Sequence, residues 1–195
     1  MMPTWAVVIL VLAGALFLVK LLYVLAAGWT LPVTRGALFV TTSSVRIRAF
    51  LDAVPMHGSE VFVDLGCGDG RVLRAARRRY GVRAVGFEIN LLAYVIARVL
   101  GLGVKGVRIR WGNFWSKEIG KANVVFCYLF PDVMERLAGK LENELGPGAR
   151  VVSCNFPLPG WHPEKVLRPE SSRHGDPIFV YQFPDACRKE KGVSL

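Results

Sequence analysis

The chain has 195 residues, room for one core, and 52% of them are apolar, more than a plain soluble domain needs. Its 25 Lys and Arg against 15 Asp and Glu give a formal net charge of +10, which suits anionic lipid headgroups or RNA as partners. Cys67, Cys127, Cys154 and Cys187 form no C-x-x-C pair and His57, His162 and His174 do not cluster, which argues against a disulfide scaffold or a structural metal and for reduced thiols.

From Trp5 to Ala27 the sequence is "WAVVILVLAGALFLVKLLYVLAA", with no acidic residue and one charge, Lys20. At ~1.5 Å per residue such a helix reaches roughly 35 Å, enough to cross a hydrocarbon core of about 30 Å. A secretory signal wants a basic start and a shorter apolar stretch, and a core helix would be amphipathic; this segment is neither. A single membrane span over residues 5–27 is expected, contacting the bilayer, with Trp5 and Trp29 at the interfaces and Lys20 snorkelling. Arg35, Arg46 and Arg48 follow the span and nothing basic precedes it, so the rest of the chain is expected on the cytoplasmic side. Beyond residue 29 the formal charge is still +9.

The expected organisation is an anchor over 1–29, a linker with a covering loop and helix over 30–58, a ligand-binding domain over 59–184 and a flexible tail over 185–195. The linker "GWTLPVTRGALFVTTSS" is rich in Gly, Pro, Thr and Ser, and Ser44 is expected to cap a short helix through Val54. Strands and helices then alternate: "EVFVDL", "DGRVLRAARRRYG", "RAVGFEI", "NLLAYVIARVLGLG", "VKGVRIRW", "ANVVFCYLF", "PDVMERLAGKLENELG" and "ARVVSCNF", closed by "EKVLR" and "PIFVYQF" as an antiparallel pair. This alternation predicts an α/β doubly wound, mostly parallel sheet with helices on both faces.

"DLGCGDGR" follows the first strand. Ligands of doubly wound sheets bind beyond the carboxyl ends of the strands, so Gly66, Cys67, Gly68, Asp69 and Gly70 are candidates to line a site. A tight strand-to-helix turn without a ligand has the same sequence. Glu88 ends the second strand, where an acidic side chain accepts hydrogen bonds from the hydroxyls of a ribose. "WGNFW" ends the third, placing Asn113 to meet an adenine edge and Phe114 or Trp115 to pack on the ring, although such an aromatic pair also suits a core. A dinucleotide fingerprint is G-x-G-x-x-G, whereas here the spacing is G-x-G-x-G followed by Arg71. Asp64 and Asp69 would repel a diphosphate and favour an ammonium or sulfonium group.

These segments together resemble the class I, seven-strand methyltransferases that use S-adenosylmethionine. More narrowly, the chain resembles the membrane-anchored protein-lysine methyltransferases whose eukaryotic members modify the ATP synthase c-subunit and the mitochondrial adenine nucleotide carrier. The resemblance rests on the N-terminal span, "GALFVTTSSVR", "DLGCGDGR", "GFEIN", "GNFW" and "ARVVSCNFPLPGW". It implies a Rossmann-like fold and S-adenosyl-L-methionine as cofactor, its methionine end at Asp64, Gly66 and Asp69, its ribose at Glu88 in the motif that ends on Asn90, and its adenine at Asn113 and Phe114. It also implies that Phe39, Thr41 and Thr42 fold over the cofactor. Asn113 departs from the family's common aspartate, and the usual proline of the covering loop is absent around Thr41 and Thr42.

The implied reaction is methylation of a lysine on a membrane protein, with no general base. A positive charge ~4 Å from the lysine nitrogen at an effective dielectric of ~20 disfavours its ammonium by about 4 kcal/mol, some three pKa units. The lysine pocket is expected after the fourth and fifth strands, at Tyr128, Phe130, Pro131, Asn155, Phe156 and Trp161, where a core edge is the alternative. RNA, a lipid or quinone as acceptor, or a non-catalytic cofactor-binding module are the rival readings. RNA is not favoured, because no separate nucleic-acid module is visible.

Overall fold

A computed structural model describes residues 3–34, 41–169 and 176–187. Helix α1 spans Thr4–Thr34 and α2 spans Ser44–Ala53. The domain then runs β1 (Val61–Leu65), α3 (Arg71–Tyr80), β2 (Arg83–Glu88), α4 (Leu91–Leu100), β3 (Val107–Trp111), β4 (Val124–Cys127), α5 (Met134–Glu144), β5 (Arg150–Cys154), β6 (Lys165–Leu167) and β7 (Ile178–Gln182).

The seven strands form one sheet in the order β3-β2-β1-β4-β5-β7-β6. All neighbours are parallel except β7, which runs antiparallel to both β5 and β6. The order reverses between β1 and β4, and this switch point fixes where a ligand crevice lies. The sequence pattern therefore anticipates the doubly wound sheet and its closing antiparallel pair.

The central strands β1, β4 and β5 carry buried apolar residues on both faces, so there are two cores. On one face, α2 and α3 cover Phe62, Phe126 and Val152, with Phe50 of α2 at 6.2 Å from Phe62 and 4.9 Å from Phe126, ring centre to ring centre. On the other, Met134, Leu137, Ala138 and Leu141 of α5 cover Leu65, Val125, Val151 and Tyr181.

Two local endings differ from the sequence expectation. Helix α1 runs on to Thr34, through Gly28 and Pro32, so the expected linker begins later than residue 30. Its segment Thr4–Leu25 is long and apolar enough to cross a membrane, and none of it is buried in the protein. Helix α2 is capped by Ser43, whose Oγ accepts from the Arg46 N–H at 3.4 Å, so Ser44 is the first helical residue rather than the cap.

Candidate cofactor and acceptor site

The turn after β1 is built from backbone. Gly66, Gly68 and Gly70 have φ of 88°, 55° and 75°, left-handed values that side chains with a Cβ rarely adopt. The N–H groups of Gly66 and Cys67 both donate to the Phe87 carbonyl, at 3.0 and 2.9 Å, and Gly70 N–H returns to the Cys67 carbonyl at 2.8 Å. The turn is thereby fastened to β2, and Gly70 becomes the residue that opens α3.

Glu88 stands at the tip of β2. Its Oε2 accepts from Gly68 N–H and its Oε1 from Asn90 N–H, both at 2.8 Å. Burial raises the Glu88 carboxyl above its usual range, partly countered by those N–H donors. Gly112 N–H donates to the Glu88 carbonyl at 2.9 Å, which brings the segment after β3 beside the same tip. There Asn113 is exposed, and its Oδ1 caps the following short turn by accepting from Trp115 N–H at 3.0 Å. Phe114 and Trp115 pack on each other at 4.6 Å, and the Arg136 guanidinium lies 4.2 Å over Trp115. Asn90 caps α4 through its own Oδ1, which accepts from Ala93 N–H at 3.1 Å.

A polar cavity at the switch point is lined by Thr41, Thr42, Asp64, Gly66, Cys67, Gly68, Asp69, Arg71, Val72, Phe126 and Tyr128. Asp64, only 2% exposed, lies on the cavity wall with no ion-pair partner among the described residues. Burial, then the charges of Glu88 and Asp69, push its carboxyl well above the usual range. Asp69 behaves oppositely. Burial would raise it, but the Arg71 guanidinium grips both its oxygens, with Nε at 3.1 and 3.0 Å and Nη2 at 2.8 Å, and holds it below the usual range. Arg71 also reaches the Thr42 carbonyl at 3.5 Å, tying the segment before α2 to the turn.

Tyr128, just past β4, carries the cavity toward β5. Its hydroxyl accepts from Arg46 Nη1 at 3.0 Å and from Asn155 Nδ2 at 3.1 Å. Arg46 is buried and ion-paired with Asp176, and its guanidinium lies 5.4 Å from the Tyr128 ring centre. Asn155 has φ of 70°, and its Oδ1 is buried with no hydrogen-bond partner among the described residues. Such a carbonyl is costly to leave unpaired, by about 1–3 kcal/mol.

The structure thus brings Thr41, Asp64, Gly66, Cys67, Gly68, Asp69 and Tyr128 together, with Asn155 bonded to Tyr128 behind them, Gly70, Glu88 and Asn90 adjoining, and Asn113 one residue past the Gly112 that bonds to Glu88, while Phe114 packs toward the α5-side core. Phe39 lies outside the described residues. Phe130 is 43% exposed and Pro131 begins a short exposed turn. Phe156 is not brought there, and neither is Trp161. The turn after Leu158 folds its indole into the α5-side core, edge-on to Tyr181 at 5.6 Å and stacked on Phe183 at 5.8 Å, with Nε1 donating to Glu142 Oε1 at 2.9 Å. Phe156 packs on that same side. Arg46 and Arg71 are site residues that sequence reasoning missed. The arginine two residues after Asp69 is a visible signal, whereas Asp176, 130 residues from Arg46, is not.

The sequence matches a family model described as the ANTKMT methyltransferase domain over residues 64–165. It is 37% identical over 147 residues to a protein-lysine N-methyltransferase of Saccharolobus islandicus, covering 73% of this chain and 91% of that one. It is 31% identical over 185 residues to the Rattus norvegicus lysine N-methyltransferase of the ATP synthase c-subunit, with coverage of 92% and 81%. Among solved structures, an RNA methyltransferase from Salinibacter ruber in complex with S-adenosyl-L-homocysteine superposes with a TM-score of 0.70 at 29% identity, covering 80% of this chain and 100% of that one.

Proposed function

Because the chain belongs to the ANTKMT methyltransferase family and is an S-adenosylmethionine-dependent methyltransferase, we propose that it methylates the side-chain nitrogen of a lysine on a membrane protein. The donor set fits the cofactor. Asp64 is a buried carboxylate lacking a cation, and a sulfonium or ammonium group supplies one; Glu88 suits a ribose diol, and the bare turn admits close approach. When bound, S-adenosylmethionine supplies a methyl group already activated on a cationic sulfur.

The observation that carries the acceptor assignment is the unpaired Oδ1 of Asn155, fixed through Nδ2 to Tyr128 on the wall of the Asp64 cavity. An amine brought along the Tyr128 ring satisfies that carbonyl with one N–H and keeps its lone pair for the methyl group. The surroundings that screen this oxygen from water also favour a neutral amine over an ammonium. Positioning of the nucleophile is then the main contribution of these residues. Thr41 and Thr42, the latter accepting from Arg71 through its carbonyl, close the cavity from the α2 side. Phe130 marks its outer rim in this reading.

The membrane assignment is supported by Thr4–Leu25, and the basic residues after the span favour the cytoplasmic side, or the matrix side in a mitochondrion. RNA as acceptor is the second reading, favoured by the formal +10 charge and by the name of the Salinibacter relative. One experiment separates them. Full-length protein and radiolabelled cofactor are incubated with membranes from a strain lacking this gene, and the product is treated with nuclease, protease or solvent. Label on protein lysines by mass spectrometry is expected, with Asn155→Gly binding cofactor normally but transferring methyl at least about tenfold more slowly. Label removed by nuclease or extracted with lipid overturns the lysine reading.

A further inference from the structure

Helix α4 is inside out. Leu91, Leu92, Val95, Ile96, Val99 and Leu100 recur at the one-and-four spacing of a single helical face, and all six are exposed. The side turned to the protein carries the small residues Ala93 and Ala97 instead, with Tyr94 against the core. An apolar stripe of this length facing outward marks an interaction surface. At the C-terminal end of α4 the stripe continues into Leu102, 75% exposed, and near its N-terminal end stands Trp111 of the edge strand β3, 59% exposed. No acidic residue occurs from Leu91 to Trp111, whereas Arg98, Lys105, Arg108 and Arg110 are all exposed around the stripe.

We propose that α4 and the β3 edge lie in the surface of an anionic lipid bilayer, with the apolar stripe sunk to the acyl boundary and the basic side chains among the headgroups. Three observations choose lipid over a second copy or another protein. The apolar face is rimmed by one sign of charge, the pattern of an interfacial helix. Trp111 combines an exposed ring with an Nε1–H that donates to the Ile89 carbonyl at 3.2 Å, the amphipathic residue of a membrane interface. Helix α1, whose segment Thr4–Leu25 is apolar enough to cross a membrane, is in contact with α4. Since Asn90 caps α4 two residues after Glu88, a bilayer under α4 lies beside the cofactor crevice, and acceptor nitrogens close to the membrane surface come within reach.

The test uses the full chain with Cys187→Ser, reconstituted in phosphatidylcholine vesicles containing phosphatidylglycerol. A spin label is placed at Val95→Cys or Val99→Cys, and at Lys165→Cys on the opposite sheet edge as reference. Labels at 95 and 99 are expected to collide severalfold more with oxygen and severalfold less with a water-soluble nickel complex than the label at 165. Equal nickel access at all three overturns the proposal. So does dipolar broadening between labels of two copies at 95, which assigns the face to a dimer. In Val95→Glu/Val99→Glu, cofactor binding by calorimetry is expected unchanged while nickel access at a label on Leu92→Cys rises to the level of 165; no rise overturns it. These are depth measurements, so they stand or fall apart from the identity of the methyl acceptor.

Discussion

The backbone N–H of Gly68 donates to Oε2 of Glu88 at 2.8 Å, which makes the turn after β1 and the tip of β2 a single unit. Glu88→Gln keeps the shape but replaces a charged acceptor by a neutral one. Hydrogen bonds to charged groups contribute about 1.5–3 kcal/mol, so affinity for S-adenosylmethionine is expected to fall roughly 10- to 100-fold. Isothermal calorimetry checks it, and unchanged affinity would remove Glu88 from the ribose site.

Asp64 gives the protein a pH signature. Its carboxyl is raised by burial, then by Glu88 and Asp69, so the folded chain holds a proton that the unfolded chain releases near pH ~4. Stability from this group is full below that pH and is lost as pH rises toward the folded value. Asp64→Asn should therefore melt higher than the wild type at neutral pH, by about 2–4 °C for each kcal/mol, and bind cofactor more weakly. A cation in the cavity favours ionised Asp64, so wild-type binding should release a proton and tighten with rising pH. Calorimetry in buffers of differing ionisation enthalpy measures that proton directly.

A Cβ at Gly86 would lie 2.5 Å from Leu73 Cδ1 and 2.6 Å from Cys67 Sγ. Both neighbours are buried, so Gly86→Ala overpacks the joint between β2, α3 and the glycine turn, at a cost of about 1–3 kcal/mol. Adding Cys67→Ala removes the sulfur but leaves the Cβ contact at 2.7 Å, so the double variant should recover only part of the lost Tm.

Trp161→Phe keeps a ring against Tyr181 and Phe183 and deletes the donor to Glu142. A loss of about 1 kcal/mol of stability is expected, with methyl transfer per folded molecule unchanged. A specific loss of transfer at wild-type Tm would return Trp161 to the acceptor pocket.

The strands, the glycine turn and Glu88 were legible because each follows from local pattern: apolar runs, glycine spacing, an acid at a strand end. Trp161 was not, because "NFPLPGW" shows a turn but not the side of the sheet on which the chain emerges. Arg46 was invisible as a site residue for a related reason. Its partners Tyr128 and Asp176 come from distant segments, and α2 looks like a plain amphipathic helix. The outward-facing stripe of α4 was present as "LLAYVIARVLGL", yet its periodicity alone suggests burial; only the sheet edge beside it shows which face is covered.

The Arg46–Asp176 pair also bears on how the protein comes to be made. Arg46 emerges from the ribosome early and is buried against Tyr128, while its counter-charge arrives 130 residues later, just ahead of β7. Between the synthesis of Tyr128 and that of the last hairpin, the guanidinium lacks this counter-charge. A nascent chain would therefore lack a finished site until the final strands emerge, and activity would begin only with them.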